Sequence, residues 1–241
     1  MTLQEAIVAR HSVRQYIEKP IEADAVARLN NEIARCNQEG HLHIQLVLDE
    51  PKAFAGGMVR YGRFRGVRNY LAMVGPKGAD EAIGYYGQRI VLLAQTLGLN
   101  SCWVGLSVGR PADRYAVGPG EKLHCVVALG YGENQGVQHP MRPVENFVKA
   151  GIGNTGSLPN GRVPMPDWFR RGAEAAVLAP TAVHQQRFEL ELVDGHTAAA
   201  RARFSLVGWA RLDLGIVKCN FEVAAGRENF EWQETGIGTK N

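Results

Sequence analysis

The sequence predicts an α+β fold made of two similar halves packed on one another. Three observations carry this. Amphipathic helical stretches alternate with short apolar runs of strand length. The order helix–loop–strand, followed by a long helix, occurs once before and once after a long Gly- and Pro-rich connection. A glycine holds the same early place in that long helix of each half, Gly84 and Gly215. Halves that cannot each complete a core would bury their apolar faces against each other.

The elements follow in order. Thr2-x-x-Glu5 is a capping box, in which a hydroxyl and a carboxylate satisfy the first free backbone donors of a helix. Leu3, Ala6 and Ile7 lie at helical spacing behind it, and the helix runs into Arg10. After Lys19-Pro20 a second helix places Val26, Leu29 and Ile33 on one face. Beyond Gly40, His41–Glu50 alternates as a strand does. Tyr70–Gly75 reads as a short buried strand, Ala82–Leu97 as a long apolar helix, and Ser101–Val104 as the start of the next strand. His124–Tyr131 is apolar on both faces, as in a covered sheet. Gly130–Trp168 is rich in Gly, Pro and Asn and reads as a loop between the halves. The pattern then restarts with a helix (Phe169–Leu178), a loop at Ala179-Pro180, strands at Arg187–Val193 and Thr197–Ser205, and a helix at Arg211–Ala225. We therefore expect one compact domain over residues 1–241, with a first half of about 1–150 and a second of about 151–241.

Composition narrows the function classes. The chain has 241 residues, 27 basic against 24 acidic, for a net charge of +3, and 45% hydrophobic residues. These values exclude disordered, collagenous and coiled-coil chains. A charge so mild gives no argument for nucleic acid or an anionic membrane. The stretch Ile90–Gly109 is uncharged, but its polar residues and glycines suit a buried helix followed by a strand better than a membrane span. The opening stretch carries Glu5, Arg10 and Arg14 and so lacks a signal-type apolar core. Four scattered cysteines (Cys36, Cys102, Cys125, Cys219) then read as reduced packing residues of a soluble, cytoplasmic protein. Glycine is the anomaly: 28 residues, about 12% against a usual value of about 7%. Such a surplus points to tight turns or close backbone approach.

Two segments carry chemistry. In Arg10-His11-Ser12-Val13-Arg14, two guanidinium groups, a hydroxyl and free backbone amides converge if the chain leaves the helix at Ser12. Such a group suits a phosphate or an electron-rich ring edge; a solvated basic helix end is the plainer reading. In Ala179-Pro180-Thr181-Ala182-Val183-His184-Gln185-Gln186, small residues let a flat ligand lie against backbone, with Thr181, His184 and Gln186 as hydrogen-bonding groups. Its plainer reading is a helix-terminating Pro loop.

The pairing of these segments resembles the FMN-dependent nitroreductases. Arg10, Ser12 and Arg14 match that family's R-x-S-x-R/K segment, and Ala179–Gln186 its A-P-S-A-x-N-x-Q-P loop. Asp213, Gly215 and Ile216 match its D-x-G-I helix, Leu97–Ser107 its helix–strand entry to the flavin, and Gly130, Tyr131 and Arg142 its closing GY…R. The order departs from the usual one, because the A-P-S loop normally follows the arginine segment within about forty residues, where Ala34–His41 has lost it. Members of the family are homodimers with the flavin at the interface, so this chain resembles the single-chain, pseudo-dimeric branch with one complete site left from two halves.

The resemblance implies the following roles. Arg10, Arg14 and Arg142 would neutralise the FMN phosphate and ribityl end, with His11 and Ser12 hydrogen-bonding alongside. Pro180, Thr181, Ala182, His184 and Gln186 would line the other side, and backbone at Gly105 and Leu106 would approach the flavin ring. Hydride would arrive from NAD(P)H and leave to a small electron acceptor of nitroaromatic or quinone type by a ping-pong route, with no catalytic acid or base. A monomer is expected, since the interface is internal. His184 stands where the family has Asn and Arg187 where it has Pro, which opens an alternative, a non-catalytic flavin- or ligand-binding relic.

Other patterns are weaker. Gly105-x-Ser107-x-Gly109 would make a Ser107 hydrolase, but no firm helix follows it. Gly151-x-Gly153-x-x-Gly156 fits a dinucleotide pattern without a helix behind it. Cys36, His41 and His43 lack further partners, so no metal is expected. The segment 51–79 has six basic residues and no acidic one, interleaved with aromatics. It reads as a nucleic-acid groove or a solvated loop; the resemblance implies a third reading, a border of the active site, and we expect that one.

Overall fold

The computed structural model describes residues 1–55, 63–105, 114–150 and 165–233. Helix α1 (Leu3–Ala9) opens on the expected capping box, with Glu5 N–H donating to Thr2 Oγ1 and Thr2 N–H to the Glu5 carboxylate. Helix α2 (Ala23–Gly40) buries Leu29, Ile33 and Cys36 on its apolar face. The strand expected over His41–Glu50 is cut to β1 (Gln45–Val47). His41 (φ 50°) and Asp49 (φ 52°) are left-handed, a conformation that cannot continue a ladder. The one-turn helix α3 (Lys52–Ala55) follows, which the sequence pattern did not reveal.

β2 (Asn69–Pro76), helix α4 (Asp80–Thr96), β3 (Asn100–Val104) and β4 (Glu121–Gly130) complete the first half. The four strands form an antiparallel sheet in the order β1-β2-β4-β3. β5 (Val148–Ala150), helix α5 (Asp167–Val177), β6 (Phe188–Leu192), β7 (Thr197–Ala202), helix α6 (Ala210–Ala225) and β8 (Glu231–Trp232) follow. The second sheet has the order β5-β6-β7-β8, antiparallel only between β6 and β7. β5 corrects the expectation of an unbroken loop over Gly130–Trp168. Its three residues acquire strand geometry by pairing with β6 in the second sheet, so the chain of the first half crosses over to close the edge of the other.

Between the sheets α4 and α6 cross at their glycines. A Cβ on Gly84 would sit 2.0 Å from the Leu212 carbonyl oxygen, and one on Gly215 would sit 1.9 Å from that of Glu81. Each glycine thus meets the carbonyl three residues before the other, the reciprocity of an isologous contact. Beside the crossing, buried Gln88 donates to Asn220 Oδ1 (2.9 Å), Asn220 donates to the Ala175 carbonyl (3.1 Å), and Trp103 Nε1 donates to Gln88 Oε1 (3.3 Å). One apolar cluster runs through both halves, from Leu29 and Ile33 through Ile83 and Leu99 to Phe169, Phe188 and Phe221. All four cysteines are free and buried. No helix among the described residues is long and apolar enough to cross a membrane.

Candidate active site

The helix ends at Ala9, with Arg10 as its cap. The chain then runs extended along the first sheet, Ser12 bridging to Ser101 and Val13 N–H donating to the Ser101 carbonyl. Extended backbone alternates sides. Val13 is buried, which leaves its neighbours Ser12 and Arg14 facing a cavity; the alternation ends before Tyr16, which is buried with its hydroxyl donating to the Val13 carbonyl.

That cavity has a volume of about 730 Å³. Arg10, His11, Ser12 and Arg14 line it from one half, with Gly105 at the end of β3; Pro180, Thr181, Ala182 and His184 line it from the other. Two segments 170 positions apart in sequence therefore share one pocket (Arg10 to Pro180). Leu106 and Ser107, and the Gly151–Gly156 pattern, lie outside the described residues. Arg142 and Gln186 are not on the lining. Arg142 is exposed beside His184, whereas Gln186 is buried and turned back toward α5, donating to the Val177 carbonyl (3.0 Å).

Electrostatics single out Arg10. It is 7% exposed, its Nη1 has no hydrogen-bond partner among the described residues, and burial lowers its pKa to about 10. A buried guanidinium without an anion is costly, and the only carboxylate on the lining among the described residues, Asp213, is engaged elsewhere. Burial, with Arg10 and His139 nearby, holds the His11 imidazole below its ordinary pKa. Burial, with His139 and Arg142 adding to it, does the same for His184. The His139 and His184 rings stack at 4.7 Å, and His184 Nε2 lies 3.3 Å from the Pro140 carbonyl. The segment around Val137–Met141 thus bridges the two motifs, passing over His11 at Gly136, where a Cβ would lie 2.7 Å from His11 Cβ and φ is +75°.

The loop after α5 is strained. Val183 (φ 45°), His184 (φ 54°) and Gln186 (φ 47°) are left-handed. Asp213, buried at the start of α6, accepts from Ala182 N–H (3.0 Å) and Gln185 Nε2 (2.8 Å), while Thr181 Oγ1 accepts from Gln186 N–H (3.0 Å). These bonds impose the conformation. A β-branched residue there costs roughly 1–3 kcal/mol, and Val183 is exposed, so nothing is lost by trimming it. Val183→Gly is expected to stabilise the fold by about 1 kcal/mol after glycine's own entropic cost; urea unfolding with an unchanged or lower midpoint would contradict the assignment of strain.

Asp213 matched a motif in the sequence, but its part in holding this loop was not legible there. Burial raises its carboxyl pKa to about 6. Below about pH 3 the group is largely protonated in folded and unfolded chains alike. As pH rises toward about 6 the unfolded chain releases its proton first, and the fold loses about 3 kcal/mol relative to low pH. Asp213→Asn does not titrate. The stability difference between variant and wild type should therefore move toward the variant by about that amount between about pH 3 and pH 7. A difference independent of pH would show that the carboxyl is not perturbed.

A smaller recess of about 430 Å³ shares Ser12, Arg14, Val137 and His139 with the cavity and adds Gln15, Arg63 and Asn134. Of the basic segment 51–79, Arg63 faces this recess and Phe64 the cavity, while Arg65 pairs with Glu133 and Arg68 with Glu18 and Asp49. Trp209, left-handed at the cap of α6 (φ 66°), completes the wall, where a Cβ on Gly105 would lie 3.3 Å from its ring. Neither Trp209 nor the Val137–Met141 wall had a signal in the sequence.

Residues 2–225 match a family profile described as "Putative TM nitroreductase". The chain belongs to this nitroreductase family. Among solved structures, a nitroreductase, titled putative, from Thermotoga maritima is similar at 18% identity, with a TM-score of 0.61, covering 95% of this chain and 85% of that one. The nitroreductase fold is thereby shown over nearly the whole chain. A Desulfovibrio desulfuricans protein, titled a putative nitroreductase in complex with FMN, is 20% identical over 60% of this chain and 93% of that one (TM-score 0.48). A Bacteroides fragilis nitroreductase with bound FMN is 22% identical over 58% and 93% (TM-score 0.44). No curated protein matches the chain.

Proposed function

We propose that this nitroreductase-family chain is an FMN-dependent oxidoreductase that takes hydride from NAD(P)H and reduces a small nitroaromatic- or quinone-like acceptor in two half-reactions. Its two halves, about 1–150 and 151–241, act as an internal pseudo-dimer with one site between them. The reciprocal crossing of Gly84 and Gly215 supports that organisation.

Arg10 carries the functional reading. Its buried, unpartnered Nη1 on the wall of a cavity lined from both halves fits a phosphorylated cofactor. Arg14 and Ser12 would hold the phosphate and ribityl end with it, and Arg142 adds positive charge at the mouth. Pro180–Ala182 and the backbone at Gly105 offer small surfaces to a flat ring. When bound, FMN supplies the hydride chemistry. The chain supplies placement: apolar walls at Ile7, Val104, Leu212 and Ile216 exclude water, and His11, held toward neutrality, offers an N–H donor without adding charge, while neutral His184, its Nε2–H turned to the Pro140 carbonyl, presents Nδ1 as an acceptor.

The test is direct. Purified protein should be yellow or take up added FMN, and the bound flavin should bleach with NADH or NADPH under anaerobic conditions. Protein with no affinity for FMN sinks the reading, and FMN that binds but resists both reductants leaves a binding protein instead of an enzyme.

A further inference from the structure

Twelve large hydrophobic side chains stand exposed among the described residues. They are not spread evenly. Val8, Val137, Met141, Val183 and Val207 all line the cavity while remaining 45–83% exposed. Phe204 and Leu206, 82% and 92% exposed, lie on the same loop as Val207. That loop is tied to the cavity wall. Gln185 donates to the Gly208 carbonyl (3.0 Å), the Ser205 hydroxyl donates to Gln185 Oε1, and Val207 N–H donates to Ser205 Oγ (3.2 Å). Five of the twelve exposures therefore line one mouth from four chain segments, and two more lie on the loop that brings Val207 to it.

Single exposed hydrophobics are ordinary, whereas a contiguous patch marks something that binds. A compact polar acceptor would gain nothing from this patch. A protein partner seated on it would seal the entrance through which reductant and acceptor must alternate. Five of the seven side chains are also part of the cavity wall itself, so a molecule in the cavity meets them as it extends outward.

We propose that this collar selects acceptors whose redox-active ring carries an aliphatic tail, the ring entering the cavity and the tail lying over Val207, Leu206 and Phe204. The proposal rests on the flavin reductase reading above. Burying one methylene fully is worth about a fourfold gain in affinity. At a half-open rim about twofold per methylene is expected, and so at least tenfold for a hexyl chain.

The experiment uses FMN-loaded protein in its oxidised state and three probes, the 2-methyl, 2-hexyl and 2-decyl 1,4-naphthoquinones. Dissociation constants come from quenching of tryptophan fluorescence, with Trp209 in the wall as reporter, and KM values from steady-state turnover. Affinity should rise at least tenfold from methyl to hexyl in the wild type. In Phe204→Ser/Leu206→Ser that ratio should fall below threefold; both side chains are exposed, so folding does not depend on them. A flat series in FMN-replete wild type overturns the collar and leaves the reductase reading standing. Protein that takes up no FMN removes the reading and the collar with it. Concentration-dependent dimerisation, or sedimentation with phosphatidylglycerol vesicles, that the double variant abolishes without altering the methyl-to-hexyl ratio would assign the patch to a second copy or a membrane and overturn the proposal.

Discussion

Gly84→Ala is expected to destabilise the protein by about 3 kcal/mol or more, a large share of the roughly 5–15 kcal/mol that holds a typical domain together. Two effects compete. Alanine is the better helix former by about 1 kcal/mol, and Gly84 lies within α4. Against this, the added Cβ would lie 2.0 Å from the Leu212 carbonyl oxygen and 3.1 Å from Ile216 N, both backbone atoms with no rotamer to give way. The helices must separate by more than an ångström, loosening the core that both share, and the steric term wins. Gly215→Ala should cost a similar amount, since its Cβ would meet Glu81 O at 1.9 Å and Tyr85 N at 2.6 Å. The double variant should cost clearly less than the sum, because helices already parted by one methyl accommodate the second. Urea unfolding of all three checks this; a wild-type midpoint for either single variant would refute the crossing.

Arg10→Met should have effects of opposite sign on stability and function. In ligand-free protein it removes a buried charge whose Nη1 lacks a partner and keeps much of the side-chain volume. Stability is expected to rise by about 1–3 kcal/mol. FMN affinity is expected to fall by about 100-fold or more, because a desolvated charged contact is worth roughly 2–5 kcal/mol. Exposed Arg14 should lose only about tenfold on the same replacement. The pair of readouts is the discriminating part: a merely structural Arg10 would lose stability when replaced. FMN titration beside urea unfolding decides. Unchanged affinity in the variant would remove Arg10 from the site.

The regular elements were legible where local pattern suffices. The capping box at Thr2, the Val26–Leu29–Ile33 stripe of α2 and the doubly apolar β4 each carry their own period. β5 and β8 were not legible, since three and two residues hold no period and become strands only through an edge supplied from elsewhere in the chain. β1 was overread because alternation cannot register the left-handed turns at His41 and Asp49. In the site, the segments Arg10–Arg14 and Ala179–Gln186 were visible as chemistry. The Val137–Met141 wall was not, since a Gly- and Pro-rich stretch looks the same whether it crosses solvent or roofs a cavity.

The sequence by itself determined the element types, the two motif segments and the places of the two glycines in their helices, all properties of neighbouring residues and their periods. Only the tertiary structure decided that the glycines face each other, that Arg10 Nη1 is buried without a partner among the described residues, and that five exposed hydrophobics line one mouth. The reason is physical. Burial, desolvation and van der Waals contact depend on distances between residues far apart in the chain. No local pattern encodes those distances until the halves have packed.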